Sequence, residues 1–475
     1  MPSLVTRYLQ QIAFTCVDVD GGAVADYIPE LAAVNPDQFG LSLAMNEGAT
    51  YSVGDAQVPF TIQSVSKPLT YALALTLKGF EAVDARLGVE PSGEAFNEIS
   101  VDPVTHRPRN PMINAGAIVA ASLVCDQNKP AAGFDRVLDW YSAFAGRALT
   151  VDEEVYRSEK ATGARNRAIT YMLQSLDMLD ENPDVTVDLY FRQCSVQLTA
   201  EDLSVIAATL AAGGTNPRTG RVVCDPHVVR RVLSVMTTCG MYDGAGDWVS
   251  EVGLPAKSGV SGALMAVLPG KLGIGVFSPR LDIHGNSVRG VSTCQRLSAD
   301  LGLHMFNVSG DALAAVRTSY DISEIPSEQA RDARSEAILA TQRDRVRVYD
   351  LQGPLSFTSM ESVLRRLDAD AHRFDVAILN LSRVGMADSL ARGMLLGLHA
   401  QLRQENRLGL VVDPYKVVPT GGGVRTLEAV RQGRLMGAVE SARNQMFATL
   451  PEAAAAAEGF LLSRFAESAD EAPAL

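Results

Sequence analysis

Apolar residues recur at helical spacing in three stretches of the N-terminal part of the chain. Val65 to Lys78 sets Leu69, Leu73, Ala74 and Leu77 along one face, which predicts a helix. Ala115 to Cys125 is apolar almost throughout and predicts a buried helix. Thr199 to Ala212 predicts another, with Thr199 as N-cap, Asp202 three residues on and Gly213-Gly214 as the stop. Two strand-like runs follow, Gly262 to Leu268 and Gly273 to Ser278, joined by Pro269-Gly270-Lys271 as a hairpin. Helices between early and late strands predict an α+β layout for residues 1–308.

The pattern changes after that. Residues 309–342 are polar and charged, and the expectation is a linker. From Val346 strands and helices alternate. Val346 to Leu351, Phe374 to Leu381 and Leu408 to Val412 predict strands, while Ser359 to Leu367 and Ser389 to Gln404 predict helices. The alanine-rich stretch from Leu450 to Phe465 predicts a closing helix. This alternation predicts a small α/β sandwich over residues 343–466, with residues 467–475 as an acidic tail. Gly421-Gly422-Gly423 lacks the Lys-Ser/Thr of a phosphate loop and is expected to be a turn.

Composition narrows the function classes. The chain has 475 residues, 47% of them hydrophobic and 20% charged, enough for more than one cored domain. The longest apolar run, Met112 to Val124, is too short to span a bilayer. Met1 to Gln11 has neither the basic start nor the apolar core of a secretory signal, so a cytoplasmic protein without membrane association is expected. Residues 343–475 hold 16 basic and 16 acidic side chains, so the net charge of −13 arises in residues 1–342. Neither half carries a basic patch, which argues against nucleic acid. The six cysteines and six histidines are scattered without metal-type spacing, so reduced thiols and no metal or other cofactor are expected.

The candidate chemistry lies in Gln63-Ser64-Val65-Ser66-Lys67. A serine and a lysine three residues apart share a helix face, and a neutral lysine can take the serine's proton once burial lowers its pKa. A helix N-terminus beside Ser64 would favour an oxyanion. Of the seven lysines only Lys67 has a serine three positions before it, and only Lys257 opens a Lys-[Ser/Thr]-Gly motif, Lys257-Ser258-Gly259. Ser-x-x-Lys followed far downstream by Lys-[Ser/Thr]-Gly is a serine acyl-transfer signature. The turn Gly259-Val260-Ser261-Gly262 offers backbone N–H groups, and Tyr242, set among turn residues, offers a phenol for proton transfer.

Four further runs follow in order: Asn110-Pro111-Met112-Ile113-Asn114-Ala115-Gly116, Ser158-Glu159-Lys160-Ala161-Thr162-Gly163-Ala164-Arg165-Asn166, Asp188-Leu189-Tyr190-Phe191 and Pro255-Ala256-Lys257-Ser258-Gly259-Val260. With them, residues 8 to 305 closely resemble the serine-dependent glutaminases. The resemblance implies a fold like that of serine β-lactamases and penicillin-binding proteins, hydrolysis of L-glutamine to L-glutamate and ammonia, and assembly as tetramers or dimers. It implies Ser64 as nucleophile, Lys67 as base, Tyr242 assisting proton transfer and Tyr27 lining the site. It also implies that Asn114, Glu159, Asn166, Tyr190 and Val260 bind the substrate. The chemistry is consistent: a buried carboxylate suits the α-ammonium, and amide and phenol donors suit the α-carboxylate. The family often has a second glycine where Ala263 stands, and little effect is expected. The alternatives are another serine acyl-transfer hydrolase of the same fold, or a non-catalytic scaffold with a retired hydrolase domain.

Residues 343 to 466 resemble a STAS domain, through Phe374 to Val384 followed by Ala387-Asp388-Ser389-Leu390. A second serine, phosphorylated in some STAS proteins, is replaced here by Leu390. Ser389 is therefore expected to serve only as an N-cap. A regulatory or assembly role is expected, with no ligand or partner legible.

Overall fold

The structure is a computed structural model. It describes residues 3–93, 100–179, 182–307, 315–325, 327, 329–418 and 445–469. The chain divides into two compact units, Met1–Asn307 and Val308–Leu475.

The first unit opens with α1 (Leu4–Val17) and the single turn α2 (Pro29–Ala32). The strands β1 (Gly40–Met45) and β2 (Thr50–Gly54) follow, then the short β3 (Phe60–Thr61) and α3 (Ser66–Asp84). A helical series comes next: α4 (Asn114–Val124) and α5 (Pro130–Ala145), then, after β4 (Thr150–Val151), α6 (Glu153–Thr162), α7 (Ala164–Ser175) and α8 (Pro183–Cys194). The unit continues with β5 (Val196–Leu198), α9 (Ala200–Ala211), α10 (Pro226–Cys239) and α11 (Ala245–Glu251). It closes with β6 (Ala256–Ser258), β7 (Ala263–Leu268), β8 (Leu272–Phe277) and α12 (Val288–Leu301).

Five strands form an antiparallel sheet in the order β2-β1-β8-β7-β6. Because the last three are late in sequence, the sheet closes the chain onto its own start and leaves the helices between as a separate layer. Helix α9 lies directly on β8. Side chains at Gly273 and Gly275 would strike its backbone, at 2.2 Å from Ala208 N and 2.3 Å from Ala200 O, so glycine is what permits that approach. The N-terminus of α9 is the expected capping box, with Thr199 accepting from Asp202 N at 3.2 Å and Asp202 accepting from Thr199 N at 2.9 Å. A second small sheet, β3-β5-β4, delivers the chain to the start of α3. The helix expected from Val65 to Lys78 is regular up to Gly79, whose φ of 80° kinks it.

The second unit holds β9 (Val316–Asp321), α13 (Ala333–Gln342), β10 (Val346–Gln352), α14 (Phe357–Asp370) and β11 (Val376–Arg383). Then come α15 (Ser389–Gln404), β12 (Leu408–Val412), β13 (Met446–Phe447) and α16 (Leu450–Ala469). The sheet order is β13-β12-β11-β10-β9, parallel except for β9. Val346, Val348, Val376, Ile378, Leu410 and Val412 form one core with Leu339 of α13 and Ala453, Ala457 and Leu461 of α16.

Two expectations need correction here. Residues 309–342 are not simply a linker. They supply the edge strand β9, pairing Val348 with Tyr320, and the helix α13, while Arg331 reaches the buried carboxylate of Glu458 at 3.6 Å. An edge strand with no fully buried residue and a helix anchored by Leu339 alone leave no hydrophobic pattern to read. The N-cap of α15 is Asp388, which accepts from Ala391 N at 2.7 Å, and Ser389 is the first helical residue. Both are cap formers, and the carboxylate also answers the helix dipole. Of the expected acidic tail, residues 467–469 complete α16 and residues 470–475 lie outside the described residues, as does the glycine triplet at 421–423.

Candidate active site

Ser64 sits in a single 3₁₀ turn, Gln63–Val65, between β3 and α3. The turn is anchored behind by Ile62 N donating to Val196 O at 2.8 Å and by Phe60 stacked on Phe277. Gln63 carries a φ of 46°, a left-handed conformation that costs a non-glycine residue on the order of 1 kcal/mol. Ser66 Oγ donates to Gln63 O at 2.6 Å and Tyr141 OH donates to Ser66 O at 3.1 Å, so the start of α3 is held from both sides.

Lys67, one turn after Ser64, is 0% exposed, and its Nζ donates to Asn114 Oδ1 at 2.7 Å. Burial alone drives its pKa down to about 7, so a large fraction of the amine is neutral near neutrality. Asn114 stands at the N-terminus of α4, a helix drawn close to the preceding loop because Gly116 has no side chain to strike Asn110 O. Asn114 Oδ1 also accepts from Tyr190 OH at 3.3 Å, and its Nδ2 donates to Asn166 Oδ1 at 3.0 Å. Helices α4, α7 and α8 thus bring three expected substrate ligands together.

Tyr242 approaches from the opposite side, in a 3₁₀ turn before α11, with a φ of 56°. It is buried, which raises its pKa, and a hydrogen bond with Ser64 offsets part of that rise. Its OH donates to Ser258 O at 3.5 Å. Lys257 Nζ donates to the same carbonyl at 2.7 Å and lies 3.8 Å from the centroid of the Tyr242 ring. Burial, with the Lys67 amine nearby, holds the Lys257 pKa well below that of a free lysine. Two desolvated amines therefore flank one phenol beside one serine.

The loop after β6 completes the wall at Ser64. A Cβ on Gly259 would lie 3.2 Å from Ile62 O and 3.6 Å from Ser64 N, so the glycine lets this loop meet the turn that carries Ser64. The Gly259 N–H is spent on Ala263 O at 2.8 Å. Val260, next along, packs against the cluster of Ile28, Leu31 and Val155.

Glu159 on α6 forms the far end. It is 5% exposed and accepts from Tyr27 OH at 2.6 Å and Gln63 Nε2 at 3.2 Å. Burial raises its pKa and these two donors oppose the rise. Tyr27, itself 46% exposed, forms the outer lip. All nine expected site residues therefore fall in one neighbourhood. Gln63 and Lys257 join them without having been assigned a role from sequence. Gln63 bridges the strained turn at Ser64 to Glu159, and its only advance sign is its place immediately before Ser64. Among the described residues no group of three or more His, Cys, Asp or Glu side chains could hold a metal ion, and all six cysteines are free thiols.

A glutaminase family model matches residues 22–306 and a STAS domain model matches residues 337–418. Glutaminase 1 of Bradyrhizobium diazoefficiens is 50% identical over 363 residues, which cover 76% of this chain and 59% of that protein. A glutaminase of Corynebacterium glutamicum is 39% identical over 419 residues, covering 87% of this chain and 95% of the relative. A solved structure of Mglu in its glutamate form superposes with a TM-score of 0.64 at 38% identity, covering 88% of this chain and all of that one. The fold of the first unit is that of the serine β-lactamase-like hydrolases, and a STAS domain follows; the chain belongs to the glutaminase family.

Proposed function

We propose that this chain hydrolyses L-glutamine to L-glutamate and ammonia through an acyl-enzyme on Ser64. The observation that carries the reading is a fully buried Lys67, with its pKa near 7, one turn after Ser64 and bonded to Asn114. Glu159 holds the α-ammonium; Asn114, Asn166 and Tyr190 hold the α-carboxylate, and the side-chain amide then meets Ser64. Ser64 Oγ attacks the amide carbon as its proton passes to neutral Lys67. The N–H groups of Ser64 and Val260 face the oxyanion. Lys67, with Tyr242, returns the proton to the nitrogen, the C–N bond breaks and ammonia leaves. Water then attacks the γ-glutamyl ester, Lys67 taking its proton and Ser64 recovering its own, and L-glutamate departs. The test is coupled detection of ammonia and glutamate from L-glutamine with the purified protein, both products appearing in equal amounts.

Tyr242→Phe keeps the ring beside Lys257 and removes only the hydroxyl. It is expected to lower kcat by about 10²-fold and to change KM by less than about threefold, measured by initial rates. A variant with unaltered kcat would remove the phenol from the proton path.

The proposal extends to location and assembly: a cytoplasmic homo-oligomer. Among the described residues no helix is long and apolar enough to cross a membrane. The STAS domain is proposed to regulate or assemble the enzyme, since it carries none of the acyl-transfer residues. Removing residues 308–475 is expected to change kinetics or oligomer size, read by initial rates and light scattering. Identical values for both would exclude that role.

A further inference from the structure

The chemistry above leaves one carboxylate beside Glu159 unused. Glu30 lies on α2, whose place is fixed by apolar packing. Ile28 and Leu31 form a buried cluster with Val155 of α6, and Ala25 and Val260 pack against it. Pro29 at the first helical position fixes the chain's entry into that turn. The Glu30 carboxylate is thereby set against α6. Its Oε1 accepts from Ser158 Oγ at 2.7 Å. Its Oε2 is buried and meets no donor among the described residues. A buried carboxylate oxygen without a donor is costly, and such groups persist where something else uses them.

Ser158 is the residue before Glu159, so Glu30 is held against the same turn of α6 as Glu159. Repulsion from Glu30 adds to the desolvation that raises the Glu159 pKa. Among the described residues the donors that reach the pair are Tyr27, Gln63 and Ser158, and none of these is cationic. A cation entering here relieves both the repulsion and the orphaned oxygen, whereas a neutral group relieves neither.

We infer that Glu30 is a specificity-determining residue: with Glu159 it selects substrates whose α-carbon bears an ammonium. The inference rests on the reading of this pocket as a glutamine site. It predicts that discrimination against glutaramate, which is glutamine without its amino group, depends on the charge of Glu30.

The test uses Glu30→Gln, which is isosteric and keeps an acceptor for Ser158. Binding of L-glutamine and of glutaramate is measured by calorimetry in the full chain carrying Ser64→Ala, with and without Glu30→Gln, so that turnover plays no part. Glu30→Gln is expected to weaken L-glutamine binding by roughly tenfold and glutaramate binding by less than about twofold. Ser158→Ala, which keeps the charge, is expected to preserve most of the discrimination. Equal losses for both ligands, as a merely structural role would give, overturn the inference, as does an unmoved ratio. Ammonia release by the parent with an unmoved ratio overturns the role of Glu30 alone. A moved ratio without any ammonia release overturns the hydrolytic reading and supports the role of Glu30.

Discussion

Ser64→Ala is expected to lower the rate of ammonia release by a factor on the order of 10⁵ while L-glutamine still binds within about threefold of the parent affinity. The two halves of this expectation come from different parts of the site. The hydroxyl is the nucleophile of the proposed reaction and is hydrogen-bonded with Tyr242, and losing it removes the acyl-enzyme altogether. The backbone at Ser64 stays in place, because the turn is held by Gln63, Ile62 and Ser66 and not by the Ser64 side chain. The groups proposed to hold the amino-acid end of the substrate sit on α4, α6, α7 and α8; Asn114, Asn166 and Tyr190 are hydrogen-bonded together, and Glu159 is held by Tyr27 and Gln63. A stopped-flow or coupled assay measures the first half and calorimetry the second. Residual turnover above about a thousandth of the parent's would place the nucleophile elsewhere.

Much of this arrangement was legible in the sequence, and the reasons differ from element to element. The helix after Ser64 announced itself by apolar spacing and the N-terminus of α9 by its capping box, because both are local. The late hairpin showed as two runs about a Pro-Gly turn. The candidate site residues are legible only jointly: alone, Asn166 or Tyr190 is an ordinary helix residue, and the ordered set of motifs is what singles them out. What stayed hidden depends on long-range packing. The positive φ of Gln63 has no signature in a glutamine, and its bridge to Glu159 spans 96 residues of sequence. Glu30 reads as a surface helix residue until α2 is seen pressed onto α6. The edge strand β9 was missed because an edge of Arg, Thr, Ser and Asp buries too little to set a period.

The second large effect concerns Lys67. The kcat of the parent is expected to rise as pH increases through about 7 and to level off above it. The sign follows from the role: only the neutral amine can take the proton of Ser64, and burial favours that neutral form. Below the transition Lys67 is protonated, Asn114 accepts from the ammonium, and the serine has no base. Lys67→Arg keeps a donor for Asn114 but remains protonated at every accessible pH. Its kcat is expected to fall on the order of 10³-fold or more, without recovery at alkaline pH. Protonation of Glu159 is a separate event that weakens the hold on the ammonium, so it enters KM at the acid end and leaves the kcat limb to Lys67. Profiles of kcat and of KM from about pH 5 to about pH 9 separate the two. A kcat limb that falls with rising pH, or one that survives in Lys67→Arg, would mean that another group takes the serine proton, and Lys257, the second desolvated amine at Tyr242, would be the first residue to replace.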